Sequence, residues 1–379
     1  MDHNELEALR DRQNRSLRDP QQIISASFSD AGIIKDSLKH KASKSFIDLL
    51  ESLKVTLFVT REYENLVVAL TAANGKLTQT ALPLPHPSGI AADRKKGLLY
   101  IAATRNPNYI LEMKAVKDKV SKTSFLLPAR QKYYPGAYYF HDLAFIGGDL
   151  YANSVGQNGV VKVNMDTAAS DPVCWTPTSI GKRTDRNHIQ LNSIAAGKTL
   201  KDSFFSASAA KPIKQKPGAI DFPVNKTGVV FSGKTGTVYG KGLTRPHSAK
   251  IIAGKVWVNN SGYGETGYIE KGNFVPVSKQ TGWTRGLCAI DNIAFVGVSS
   301  ILPRFAHYAP GLDPSKAFCG LVAIDIRTGN TLGKLIWPSG NQVFGIDYLN
   351  TAQSKGFIYQ DTTLSNEEQK ALIYRTPIA

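Results

Sequence analysis

The sequence predicts an all-β fold, a six-bladed β-propeller with an N-terminal helical extension. Three observations carry this prediction. The first is a phrase that recurs along the chain: a polar or special residue, a small one, an aliphatic, another small one, then a turn and a strand ending in Ser, Thr or Asn. Its six copies open at Ser88-Gly89-Ile90-Ala91, His141-Asp142-Leu143-Ala144, Asn192-Ser193-Ile194-Ala195, His247-Ser248-Ala249-Lys250, Arg285-Gly286-Leu287-Cys288 and Phe344-Gly345-Ile346-Asp347. They return every roughly 40–60 residues, the period of propeller blades. The second is composition: 32 Gly and 19 Pro punctuate short Val, Ile, Tyr and Phe runs, as strands joined by frequent turns require. The third is what a ring does to the first residue of each copy. That column reads Ser88, His141, Asn192, His247, Arg285, Phe344, and blades around a channel aim it at one space. Two imidazoles, an amide and a guanidinium on one axis describe a site rather than packing.

In chain order, residues 1–53 form the extension, because 5–10 (Glu5-Leu6-Glu7-Ala8-Leu9-Arg10) and 45–50 (Ser45-Phe46-Ile47-Asp48-Leu49-Leu50) space their apolar residues as helices do. Residues 54–379 form the propeller, with strand signals from Val55-Thr56-Leu57-Phe58-Val59 onward and strands and turns to about Tyr374. The last blade is expected to mix both chain ends, with Gly356-Phe357-Ile358-Tyr359 as one strand and the segment after Val55 as another. Such closure leaves the ring no free edge. Two longer loops, 175–190 and 302–318, are candidates for a pocket rim or lid.

The chain has 379 residues, 42% of them hydrophobic, enough for a substantial core, and a net charge of +16. Dispersed lysines such as Lys114, Lys117, Lys211 and Lys214, with no arginine-rich tract, read as solvated surface with some attraction for anions. Nucleic acid is disfavoured. The charged start and the lack of an apolar run of about 20 residues indicate neither a secretory signal nor a membrane span. Three sparse cysteines, Cys174, Cys288 and Cys319, suit a cytoplasmic chain with reduced thiols. Gly228-Val229-Val230-Phe231-Ser232-Gly233-Lys234-Thr235 spells a phosphate loop and Gly262-Tyr263-Gly264-Glu265-Thr266-Gly267 a dinucleotide fingerprint. Both motifs need a following helix, and here strand residues follow, so both are set aside.

The candidate chemistry lies in the column and its approaches. His141, His188 and His247, with His86 as a possible fourth, are the candidate ligands of a divalent transition metal (iron, manganese or zinc), since imidazole suits these ions. Open coordination positions would then admit water and substrate. Arg285 is the candidate grip on a substrate carboxylate or phosphate. Asp185 is a candidate general base, and Asp142 a candidate catalytic group that strand alternation turns to the opposite face. Arg304, Asn192 and Tyr139 complete the expected substrate contacts. For each histidine the competing account is a hydrogen bond to backbone at a strand end.

The phrases His141-Asp142-Leu143-Ala144-Phe145, Asp185-Arg186-Asn187-His188 with Asn192, Pro246-His247-Ser248, Ser261-Gly262, Arg285-Gly286-Leu287, Ala294-Phe295-Val296-Gly297 and Cys319-Gly320 resemble those of an uncharacterised bacterial family of six-bladed propellers, a domain of unknown function. The resemblance covers roughly residues 54–350 and implies the fold and a shared site, with no reaction attached. The chain departs from that pattern at Asn187, where the family has Cys or Trp, and at Phe344-Gly345, where it has an acidic residue. More distantly the architecture is similar to gluconolactonase-like propellers, which hold a divalent metal on the axis, and to propeller lyases with histidine-bound manganese.

The expected function is therefore a metal-dependent enzyme of lyase, isomerase or hydrolase type with a histidine-rich axial site for a small anionic substrate. A non-haem iron oxygenase in the same site is one alternative. A non-catalytic propeller that binds a protein or an acidic polymer is another. The oligomeric state is left open.

Overall fold

The structure, a computed structural model, describes residues 35–105, 108–118, 122–181, 186–215, 217–358 and 365–375. It is an all-β propeller. Hydrogen bonding groups the strands into five sheets, one of them eight-stranded. That sheet is two four-stranded meanders joined by one parallel pair, Lys241 with Asn273. Among the described residues the strands fall into six meanders of four, one of them with an added fifth strand.

The innermost strands are Pro87–Asp93, Phe140–Ile146, Leu191–Ala195, Pro246–Ile252, Trp283–Ile290 and Ile346–Asn350. Each packs against the next and the last against the first, so they close a ring. The second residue of the recurring phrase is small because it meets the neighbouring strand. A Cβ on Gly89 would lie 2.6 Å from the Asp142 backbone. Side chains of the same strands tie one meander to the next. Ser88 donates to the Phe140 carbonyl at 2.6 Å, Ser193 accepts from Ala249 N at 2.8 Å, and Ser248 accepts from Gly286 N at 2.8 Å.

Hydrophobic clusters fill the faces between meanders. Phe58, Val67, Ile90 and Leu99 lie between the sixth and the first, Tyr100, Phe140 and Leu143 between the first and the second, and Leu191, Ile194 and Val160 between the second and the third. Burial of such side chains is the main favourable term in folding, at about 1.5–3 kcal/mol each.

Helix α1, Lys44–Leu53, begins where Ser43 Oγ accepts from Phe46 N at 3.2 Å and ends at Lys54 in left-handed backbone. It buries Phe46 and Leu50, with Phe46 edge-on to Phe295 at 6.0 Å. This is the expected helix at 45–50; the one at 5–10 lies outside the described residues. The segment Lys41–Ala42 adds the fifth strand beside Thr331–Ile336.

The chain ends differ from expectation in two ways. Ile346–Asn350, rather than the stretch around Phe357, pairs with Val55–Arg61 and closes the sixth meander. Phe357 makes only an isolated bridge to Leu126, because Gly356 at φ 125° swings the chain out of the sheet and Phe357 N is taken by Thr80 Oγ1 at 2.9 Å. Beyond it comes a helix, α2, Asn366–Arg375, whose Leu372 packs with Phe125 and Ile358.

The two rejected motifs are strand and turn: Gly228–Ser232 pairs with Val238–Leu243, and Glu265–Glu270 follows the short turn Ser261–Tyr263.

Candidate functional site: an arginine-rich cavity at the axis

The starts of the inner strands surround a cavity of about 360 Å³. Five column residues line it: His141, Asn192, His247, Arg285 and Phe344. Ser88 does not, because its hydroxyl is spent on the Ala102 and Phe140 carbonyls. A second tier sits two residues earlier. Tyr139, Gln190 and Arg245 line the cavity from backbone at φ 50°, 52° and 52°, and His86, at φ 48°, holds the equivalent place in the first meander. Left-handed backbone costs a non-glycine residue on the order of 1–2 kcal/mol, so four in register mark a constrained ring. Asparagines clamp three of these approaches: Asn65 accepts from His86 N at 3.0 Å, Asn108 from Tyr139 N at 2.9 Å and Asn158 from His188 N at 2.7 Å.

The turns after the second strands supply a further set that sequence reasoning missed: Glu62, Tyr63, Thr104 and Arg105. The signal was available. The second strand of each copy ends in a polar residue, and an asparagine follows four residues after Arg61, Thr104 and Ser154. Between those two marks lie Glu62, Tyr63, Arg105 and Val155, which line the cavity.

A hydrogen-bonded chain crosses the site. Arg285 Nη2 donates to His247 Nε2 at 2.9 Å, and His247 Nδ1 lies 2.8 Å from Ser248 Oγ. On its other side, with the Gln342 amide oriented to suit its two neighbours, Arg285 Nη1 donates to the amide oxygen and the amide nitrogen donates to Glu62 Oε2 at 3.1 Å. Glu62 Oε1 accepts from Thr104 Oγ1 at 2.5 Å. Because the guanidinium is always a donor, His247 Nε2 must be the acceptor and Nδ1 carries the proton. Arg285 also lies over Phe344, at 4.0 Å, and Trp283, at 5.0 Å. Phe344 meets both imidazoles edge-on, His141 at 5.2 Å and His247 at 5.1 Å.

The electrostatics are lopsided. Arg105, Arg245 and Arg285 line the cavity, and Glu62 is its one carboxylate among the described residues. Burial and the nearby guanidiniums hold His141 and His247 well below the ordinary imidazole range, so both are neutral at pH 7. Burial, with Arg105 beside it, takes His86 down to about 3. Burial also lowers Arg285 to about 10, still charged at neutral pH. Arg105 Nε, Arg245 Nη1, Arg285 Nε and Trp283 Nε1 are buried donors without a hydrogen-bond partner.

The four candidate metal ligands are not gathered. His141 and His247 face each other with ring centroids 6.1 Å apart, but His86 and His188 do not line the cavity. Among the described residues no group of three or more His, Cys, Asp or Glu could hold a metal ion. Both nitrogens of His247 are engaged as well, so the residues as placed do not fit a three-histidine centre. Asp142 does not line the cavity: its carboxylate accepts from Ile194 N at 2.9 Å and Leu143 N at 3.0 Å and pairs with Lys250 at 3.5 Å. Alternation along the strand turns it away from His141. Asp185 lies outside the described residues. Arg304 is on the turn Pro303–Tyr308, whose Phe305 and Tyr308 do line the cavity.

A solved chain from a nidogen/laminin complex has the same fold, with a TM-score of 0.53 and 10% identity over 78% of this chain and 98% of that one. A gluconolactonase from Xanthomonas campestris gives a TM-score of 0.43 and 13% identity over 76% and 86%. A luciferin-regenerating enzyme gives 0.43 and 10% over 65% and 74%. No curated protein matches the sequence. The family model described as a domain of unknown function (DUF4915) matches residues 44–357, and the chain belongs to that family.

Proposed function

We propose that the axial cavity binds a small anionic substrate and moves a proton on it, as an enzyme of lyase, isomerase or hydrolase type. The observation that carries this reading is the set of buried arginine donors around the cavity with no partner of their own. A buried charge is tolerated when it is paired and hydrogen-bonded, and a carboxylate or phosphate supplies both at once.

His141 is the group placed to take a proton. It lines the cavity, is neutral and packs against Phe344; to take the proton at Nε2 a substrate replaces the long 3.5 Å contact from the Gln190 amide nitrogen. An arriving anion offsets the guanidinium charge that depresses the imidazole, so binding raises its proton affinity at the moment a base is needed. His247 holds Arg285 in position through the 2.9 Å bond. No step is routed through a metal.

The test is a thermal-shift panel of small carboxylates and phosphates against wild type and Arg285→Met. The reading predicts stabilisation of the wild type by at least one anion and loss of that response in the variant. Wild type that responds to none of them, or a variant that responds equally, overturns it.

A further inference from the structure

The placement of the arginines narrows the anion to a substrate class, which rests on the axial cavity being an anion site. The three cavity arginines are not clustered on one wall. Arg105 lies on a turn of the first meander, and Arg245 enters the inner strand of the fourth. In a ring of six these are opposite positions. Arg285 belongs to the fifth meander, beside Arg245, and His141 to the second, between the two walls.

Each wall has an unmet donor. Arg105 Nε stands 4.0 Å from Glu62 Oε1, too far for a hydrogen bond, and that oxygen is already taken by Thr104. Across the axis, Arg245 Nη1, Arg285 Nε and the Trp283 indole nitrogen are buried and unpartnered. Arg245 instead lies over the Tyr308 ring at 4.1 Å. Among the described residues, three guanidiniums and one carboxylate line the cavity. The lining also includes Tyr63, Phe305, Tyr308 and Phe344, which offer ring faces and edges. A single anionic group satisfies one wall and leaves the donor on the other without a hydrogen-bond partner.

We infer that the natural ligand is a short dicarboxylate, one carboxylate held by Arg245 and Arg285 and the other by Arg105 across the axis, with the carbon chain passing His141. The cavity volume of about 360 Å³ suits a molecule of this size.

Calorimetric titration at fixed salt tests this with malonate, succinate, glutarate and adipate, with butyrate as a monocarboxylate control and inorganic phosphate as a compact dianion. Wild type, Arg105→Gln and Arg245→Gln are compared, each checked for a native melting transition. One diacid is expected to bind wild type about 30-fold or more tighter than butyrate, since a buried charged hydrogen bond is worth at least about 2 kcal/mol. Arg105→Gln should bring that diacid close to butyrate and change butyrate itself less than about threefold. Equal affinity for butyrate and every diacid overturns the two-ended ligand and leaves the anion site standing. Phosphate binding as tight as the best diacid does the same. No binding by any acid or by phosphate removes the anion reading as well.

Discussion

The inner strands have two ends, and the ends treat charge in opposite ways. Where the strands start, three arginines and, among the described residues, one carboxylate line the cavity, and spare donors of the arginines lack partners. Further along the same strands a second cavity, of about 230 Å³, is lined by Arg94, Lys250 and Asp347. Here each cation has its anion: Arg94 pairs with Asp347, and Lys250 lies 3.5 Å from Asp142. The aspartates are further held by backbone, Asp347 by Ala92 N and Tyr348 N at 2.8 Å each. One fold and one strand set thus produce a self-satisfied end and an unsatisfied one. Buried polar groups in native proteins are paired, so the unsatisfied end is where we propose that a ligand completes the structure.

The largest expected effect follows from Arg285. Arg285→Met removes a charge and frees Gln342 and His247 at once, and anion affinity should fall by about 100-fold or more, read by calorimetry. Asp347→Asn at the paired end should leave that affinity unchanged; a comparable loss there would erase the contrast between the ends.

Asp142→Ala should act on stability alone. It strands Ile194 N and removes the Lys250 partner, a cost of about 1–3 kcal/mol in denaturant unfolding, with anion binding retained. Unchanged stability would remove its structural assignment.

The pH dependence sharpens the unsatisfied end. Folded His86, His141 and His247 have depressed proton affinity, His86 to about 3 against an ordinary 6.5. The unfolded chain takes up protons on these groups below about pH 6.5 and the folded chain does not. Their contribution to stability is therefore level above that pH and falls as pH drops toward 3. The slope is up to about 1.4 kcal/mol per pH unit for each histidine. His141→Gln should remove one share of that slope, measured by melts from pH 7 to pH 4; an unchanged slope would mean the imidazole is not buried neutral.

The smallest effect concerns backbone. Arg245→Gly replaces a left-handed arginine with the residue that adopts that backbone freely, so stability should stay within about 1 kcal/mol while diacid affinity drops. A large loss of stability would assign Arg245 to holding Tyr308 instead.

The ring was legible in the sequence because each blade repeats the same packing problem. Gly89, Ser193, Ser248 and Gly286 are small since each abuts the neighbouring strand, and that constraint recurs in all copies but the second, which has Asp142. His141, Asn192, His247, Arg285 and Phe344 could be placed in one space for the same reason. What the sequence did not reveal depends on angles that a repeat does not encode. His188 is equivalent to no column residue and is clamped by Asn158 away from the cavity. Arg105 and Glu62 sit on turns, outside the recurring phrase. His247 looks like a ligand until the guanidinium on its Nε2 is seen. The closing strand was misplaced because both 346–350 and 356–359 are β-rich, and only the swing at Gly356 separates them.

The central claim is that the arginines with spare donors at the axial cavity, and not Arg94 and Lys250 with their aspartates, receive an anion. Bromide soaked into crystals of the protein locates such a site through its anomalous scattering. The account predicts a peak in the cavity beside Arg245 and Arg285 that is lost in Arg285→Met, and none at Arg94 and Lys250. A peak at Arg94 and Lys250 with an empty arginine cavity would contradict it.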